Sequence, residues 1–417
     1  MTVRTVVTGL GVIAPTGFGS DAHWESTTRG RSAIGRITRF DPGTYASRLA
    51  GEIREFQPEK HLPNRLLPQT DHMTRLSLVA ADWAFADAAV EAGAVPEFGV
   101  GVVTASSAGG FEFGQRELQK LWKDGPEYVS AYQSFAWFYA VNTGQISIRH
   151  GLRGPSGVLV TEQAGGLDAL AQARRHIRRD TAMVIAGGVD GSLCPWGWVA
   201  RTAQGTTSTC EDPARAYLPF DARASGSVPG EGGALFVVES EESARARGVT
   251  SGYGEIAGYA ATFDPPPDSG RERTLRRAVE QALDEAEVAP AEVDVVFADA
   301  AGVPELDAAE AEALKAVFGP HGVAVTAPKT MTGRLSAGGA ALDVATALLA
   351  MREGTIPPTA NVSAAAPEYE LDLVLEPRRR PITTALVVAR GTGGFNAAMV
   401  VRKPRGQAGP EAGGRDG

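Results

Sequence analysis

Cysteine is nearly absent. Cys194 and Cys210 are the only two in 417 residues, too few for a disulfide framework, so a reducing, cytoplasmic compartment is the natural setting. No apolar run approaches the length of a membrane span. The first apolar segment, Val3 to Thr8, reads as a strand, and no signal peptide is expected. Dense basic tracts are missing too. The chain carries 40 Lys+Arg against 49 Asp+Glu, a net charge of −9, which argues against nucleic acid and anionic membrane partners. The exception is Arg174-Arg175-His176-Ile177-Arg178-Arg179, at the end of a predicted helix. Cations favour that end of the dipole, so a solvated helix end is one reading and a patch for an acidic partner protein is the other. There is no Gly-x-Ser-x-Gly elbow, which opposes a hydrolase of that type. Gly9 and Gly11 follow the first strand, but Ala14-Pro15-Thr16 replaces the rest of a dinucleotide fingerprint.

What is present suits a globular protein with a large core: 43% of residues are apolar and 21% charged. Predicted strands lie at 98–104, 182–188, 234–239, 293–298, 324–327, 384–390 and 397–401. Predicted helices lie at 24–30, 71–89 with Asp71 as cap, 164–177, 306–318 and 338–352. A helix follows Gly109-Gly110. Loops are expected at Pro195-Trp196-Gly197-Trp198 and at 264–270. Alternating strands and helices argue an α/β fold. A weak internal echo divides the chain into residues 1–250 and 251–403, and the Gly- and Pro-rich tail, 404–417, is expected to be disordered. The segment Ser134-Phe135-Ala136-Trp137-Phe138-Tyr139 is unusually aromatic. It reads either as ordinary core or, preferably, as a buried subunit contact, where aromatics concentrate.

The stretch that organises the rest is Val158-Leu159-Val160-Thr161-Glu162-Gln163-Ala164-Gly165-Gly166. It reads as the end of a buried strand, a sharp turn and a helix start. Gln163 then sits where backbone N–H groups and the helix dipole favour a nucleophile or an oxyanion. Cysteine would suit that place, because the dipole lowers a thiol's pKa. A glutamine amide cannot be acylated there in any ordinary mechanism.

This turn resembles the nucleophile turn of β-ketoacyl synthases. With Gln in the Cys position it resembles the non-condensing chain length factors of type II aromatic polyketide synthases. The similarity runs from Val3 to about Arg402 and includes Leu218-Pro219-Phe220-Asp221 and Val228-Pro229-Gly230-Glu231-Gly232-Gly233. The resemblance implies a thiolase-like fold of two similar halves in five layers, helix–sheet–helix–sheet–helix. It places Asp299 and Arg334 where condensing enzymes carry two histidines, with all six histidines of this chain elsewhere. Asp299 and Arg334 are then expected to form a salt bridge in that space, which is weak evidence for stability. Lys329, at the family's Lys position, is expected to pair with a carboxylate such as Glu310 or Asp307. The cysteines are expected in loops away from the turn, as small buried hydrophobes.

The family also implies the partners. A ketosynthase α-subunit would complete a heterodimer, with Phe135, Trp137 and Phe138 at the interface. Malonyl and polyketide thioesters would arrive on the phosphopantetheine of an acyl carrier protein, and no metal or cofactor is expected on this chain itself. Phe111, Gly114 and Leu118 match the positions that line a chain-length channel. They lie about one turn apart on one helix face. Gly114 either serves close helix packing or leaves volume for a long product of about ten ketide units. Two functional readings follow. In one, the chain is a structural partner that shapes the polyketide cavity. In the other, Gln163 donates a hydrogen bond that assists decarboxylation of malonyl to prime the synthase. An ordinary condensing enzyme is opposed by the three altered positions.

Overall fold

The computed structural model describes residues 3–90, 96, 98–250, 252–266 and 269–403. The tail 404–417 and two positions of the 264–270 loop lie outside the described residues. The strands that build the architecture are β1 Thr5–Ala14, β2 Val100–Ala105, β3 Ser156–Leu159, β4 Met183–Asp190, β5 Gly232–Ser240, β6 Gly254–Phe263, β7 Val295–Phe297, β8 Ala324–Thr326, β9 Thr384–Gly391 and β10 Phe395–Arg402. The helices needed here are α1 His72–Asp87, α2 Phe111–Lys123, α3 Val141–His150, α4 Gly165–Ile177, α5 Pro195–Thr202, α6 Leu275–Ala286, α7 Pro304–Phe318 and α8 Ala337–Glu353.

The strand order repeats. The first half runs β1-β5-β4-β2-β3 and the second β6-β10-β9-β7-β8. In each half the first three strands are antiparallel and the last three parallel. A short antiparallel pairing, Val6 with Glu255 and Val7 with Gly254, joins the halves into one hydrogen-bonded path. Strands such as β4 and β9 are continuous apolar runs, as sheets covered on both faces require. Val184 and Ala186 of β4 point into a central core, while Met183 and Ile185 point to an outer one. In β9, Val387 and Ala389 face the same central core, and Leu386 and Val388 face a third.

Helices fill the layers between and outside. α4 and α8 lie between the two half-sheets and touch both. α8 is buried from Ala337 through Met351, which fits a helix apolar on every side. α1 covers the outside of the first half, and α6 and α7 cover the second. The result is the expected five-layer order, helix–sheet–helix–sheet–helix.

Several local expectations need correction. β1 runs on to Ala14, and the predicted 24–30 helix occupies Ser20–Thr28. The Pro195–Trp198 "loop" is the first turn of α5. Proline is at home in that turn, so the breaker pair Pro and Gly misled. The strand around Val158 is half-exposed rather than buried, and Val160, just past its end, is 47% exposed. The reason is position: β3 pairs only with β2 and forms the edge of the sheet. The basic cluster is not simply a solvated helix end. Arg174 is buried, pairs with Glu285 at 2.7 Å and donates to the Ala257 carbonyl at 2.6 Å, tying α4 to α6 and β6.

Candidate functional site

The carboxyl ends of the parallel strands converge on one region, the usual place for chemistry in such sheets. β3 feeds a short 3-10 turn, Glu162–Ala164, before α4 begins at Gly165. Glu162 takes a left-handed conformation, φ 53°, which sharpens the turn. Its carboxylate is held by Arg201 Nη1 at 2.9 Å and by the Thr392 N–H at 3.2 Å. Arg201 also bonds the Ser336 hydroxyl at the N-terminus of α8.

Gln163 is 4% exposed. Its amide is satisfied when Nε2 donates to the Ser336 carbonyl at 3.0 Å and Oε1 accepts from the Ser336 N–H at 3.2 Å. Both polar ends are therefore committed to backbone. The free space beside it is only about 10 Å³, less than a comfortable water site. Gly339 of α8 faces the amide, and any Cβ there would collide with it. His23 lines the same small void. Its Nδ1 lies 2.7 Å from the Thr16 hydroxyl and its Nε2 3.0 Å from that of Thr346, and burial pulls its pKa down to about 4.

Asp299 follows β7 and Arg334 follows β8. Arg334 Nη2 lies 2.9 and 3.2 Å from the two Asp299 carboxylate oxygens, and Nη1 donates to the Asp299 carbonyl at 2.7 Å. The Arg390 N–H adds a further bond to Asp299 at 2.9 Å. Burial alone would raise the Asp299 pKa. The charges of Arg334, Lys329 and Arg390 outweigh it and hold the group below the usual carboxylate range. An ionised, fully engaged carboxylate beside a guanidinium has no proton to exchange. Two further carboxylates brace the same turn. Glu310 accepts from the Asp299 and Ala300 N–H groups at 2.7 and 2.8 Å, and Asp307 accepts from those of Gly302 and Phe220, each at 2.9 Å.

Because Glu310 and Asp307 are spent on backbone, neither pairs with Lys329 as expected. Lys329 instead meets Asp343 of α8 at 2.7 Å and donates to the Ala298 carbonyl at 2.6 Å. A surface cleft of about 490 Å³ lies over the Asp299–Arg334 pair, lined also by Glu162, Arg201, Arg390 and Thr392. Arg334 borders both this cleft and the void at Gln163. Neither cysteine lies at the Gln163 turn. Cys194 is buried at the start of α5, where burial pushes its thiol up to about 11, and Cys210 is partly exposed.

The remaining site residues lie away from this pocket. Phe111, Gly114 and Leu118 share α2. Phe111 stacks on Trp196 of α5, ring centroids 4.4 Å apart and planes 6° off parallel. A Cβ on Gly114 would stand 3.3 Å from the Trp196 ring and 3.4 Å from the Trp137 Cβ. Trp196 is thus the ring that packs on Phe111 and Gly114, a contact hidden from the sequence because Pro195 and Gly197 read as a loop. The aromatic segment is not core. Phe135, Trp137 and Phe138 are 36%, 42% and 39% exposed, with Tyr139 beside them. α3 follows the segment and ties to β3 through Thr143, whose hydroxyl donates to the Gly157 carbonyl at 3.1 Å. Exposed rings, exposed Ile148 and Val160, and an edge strand therefore belong to connected elements. Surfaces of that kind mark interaction sites.

The fold is that of the β-ketoacyl synthases. Residues 3–244 match the family described as the beta-ketoacyl synthase N-terminal domain, and residues 253–363 match the corresponding C-terminal domain. The chain is 62% identical over 400 residues to the tetracenomycin polyketide synthase ketoacyl synthase beta subunit of Streptomyces glaucescens, covering 95% of this chain and 98% of that one. Among solved structures, it is similar to the ishigamide ketosynthase/chain length factor, with a TM-score of 0.87 and 25% identity over 97% of this chain and all of that one. It is also similar to a chain in the complex of a type II polyketide synthase acyl carrier protein with its ketosynthase bound to the hexaketide. There the TM-score is 0.85 and the identity 26%, over 97% of this chain and all of that one. The chain belongs to the β-ketoacyl synthase family, among its polyketide ketosynthase beta subunits, the chain length factors. Among the described residues, no helix is long and apolar enough to cross a membrane.

Proposed function

We propose that this chain is the non-condensing chain length factor of a type II aromatic polyketide synthase. It pairs with an active ketosynthase α-subunit and shapes the cavity in which the polyketide grows. The observation that carries this reading is the Gln163 amide, buried and bonded at both ends to Ser336 where the framework calls for a reactive thiolate. The Asp299–Arg334 ion pair, standing where two imidazoles would be needed, supports it. Condensation then belongs to the partner. Malonyl and polyketide thioesters reach the heterodimer on the phosphopantetheine arm of an acyl carrier protein, in the cytoplasm. The exposed rings of Phe135, Trp137 and Phe138 and the free edge of β3 suit the obligate interface, because such interfaces are large and apolar. The decarboxylase reading needs a free amide at Gln163, and the two bonds to Ser336 disfavour it.

In this reading, α2 lines the chain-length channel at the interface. Phe111 and Trp196 form a stacked wall, and Gly114, with no side chain, lets Trp196 and Trp137 pack close against α2 instead of being pushed outward, which keeps the wall back for a long product of about ten ketide units. A larger residue at Gly114 must displace Trp196, since overpacking costs roughly 1–3 kcal/mol. The test is Gly114→Thr with Leu118→Phe in the reconstituted heterodimer, with products sized by mass spectrometry. Shorter chains are expected. An unchanged length distribution at normal turnover would refute the channel.

A further inference from the structure

The N-terminus of α2 has an unusual support. Its cap residue is Gly110, which has no side chain to accept the first free N–H groups. Asp71, from a different part of the chain, fills that role. Asp71 is 2% exposed and caps its own helix α1 through the Met73 N–H at 2.9 Å. Its other oxygen accepts the Phe113 N–H of α2 at 2.8 Å. One carboxylate therefore caps two helices.

The aromatic segment is locked to the same point. The Gly110 N–H donates to the Trp137 carbonyl at 3.0 Å. A Cβ on Gly110 would collide with the Ala136 carbonyl and stand 3.0 Å from the Asp71 Cβ. Gly109 has φ 68° and lies against the backbone of Trp137 through Tyr139, so no larger residue fits there either. The exposed rings at 135–139 and the first turn of α2, with Phe111 at its head, are thus held as one unit over Asp71.

We infer that Asp71 is a positioning residue for chain length: by capping α2 from outside, it fixes the first turn and so the height of the Phe111–Trp196 wall. This rests on the channel reading of α2 above. Asp71 touches no substrate. Without its bond to Phe113, the first turn of α2 gains freedom, the wall loses its single position, and the product length broadens. An ionised carboxylate accepting an N–H makes the stronger kind of hydrogen bond, so its loss is felt at the helix end.

The experiment compares reconstituted heterodimers carrying Asp71→Ser, Asp71→Asn and the pair Gly114→Thr/Leu118→Phe. Serine still caps α1 but has one short oxygen and cannot also reach Phe113. Asparagine keeps one acceptor and its size. The readouts are the ratio of off-length to main-length product, total turnover, and hydrogen exchange at the Phe113 amide. For Asp71→Ser the ratio is expected to rise about tenfold, the factor that one lost charged hydrogen bond carries, with total turnover little changed. The Phe113 amide should exchange faster, and Asp71→Asn should fall between. If the Phe113 amide exchanges faster in Asp71→Ser while the length ratio stays put, Asp71 is only a cap and the inference is overturned. If Asp71→Ser fails to assemble, Asp71→Asn decides by the same ratio. A length shift with Gly114→Thr/Leu118→Phe but not with the Asp71 variants overturns this inference and leaves the channel standing. No shift in any variant overturns both.

Discussion

Replacing Gln163 by alanine separates a space-filling amide from a chemical one. The substitution removes two hydrogen bonds, at 3.0 and 3.2 Å; the Ser336 carbonyl keeps the Gly339 N–H at 3.0 Å, while the Ser336 N–H is left facing an emptied void. That void now holds only about 10 Å³, and the lost amide enlarges it, so water can enter and satisfy part of the loss. An unsatisfied buried polar group costs about 1–3 kcal/mol, and a water can recover part of it, so a net loss of roughly 1–3 kcal/mol is expected. The assay has two arms, both on the heterodimer with the ketosynthase. Denaturant unfolding reads the stability, and product formation is measured once from malonyl alone and once from a supplied acetyl starter. The account predicts a lower unfolding midpoint with both product rates per folded heterodimer unchanged. Loss of priming from malonyl, with extension from acetyl intact and stability unaltered, would refute it and establish the decarboxylase reading.

Further predictions follow from the same geometry. On the proposed reading, Gln163→Cys alone should give no condensation, since the Asp299–Arg334 ion pair offers no imidazole; product from the isolated variant chain would contradict this. Arg334→Ala should destabilise by about 3–5 kcal/mol by orphaning buried Asp299, and adding Asp299→Asn should recover part of that loss, read in a double-mutant cycle of unfolding midpoints. Phe135→Asp with Phe138→Asp should abolish co-purification with the ketosynthase, because buried interface aromatics commonly carry 2 kcal/mol or more each, on the order of the whole margin. Burial first, and then the Glu112 charge, raise the Asp71 pKa to about 6, so the folded state binds its proton more tightly than the unfolded one. That contribution is present below the unfolded carboxyl pKa and is lost as pH rises to about 6; Asp71→Asn should flatten this part of the stability profile, and an unchanged slope would contradict the assignment.

How far the sequence reached is best seen in particular elements. The two-half, five-layer fold was legible through resemblance, and the apolar runs at 183–190 and 384–391 agree with sheets covered on both faces. Helices with clear caps or stops, such as α1 after Asp71 and α7 before Gly319, were placed within a few residues. Tertiary context hid the rest. Periodicity cannot tell an edge strand from a central one, so the exposure of β3 is not written in its apolar run. Pro195 and Gly197 looked like breakers, yet proline suits a first helical turn, and so Trp196 was missed as the ring stacked on Phe111. At the pocket, the sequence paired Asp299 with Arg334 but did not give the wiring around them. The partner of Lys329 depends on which carboxylate α8 presents, and the trans cap at Asp71 joins residues 42 apart in the chain. No local pattern encodes either.

The central claim is that this chain is half of an obligate heterodimer and makes no carbon–carbon bond itself. The most direct measurement expresses it with and without a ketosynthase α-subunit, sizes the products by native mass spectrometry, and assays each with malonyl and acyl carrier protein. The account predicts a one-to-one heterodimer that makes polyketide, and an isolated chain that aggregates and makes none, as large apolar interfaces left uncovered do. A monodisperse isolated chain that ignores the ketosynthase, or one that condenses malonyl units unaided, would contradict it.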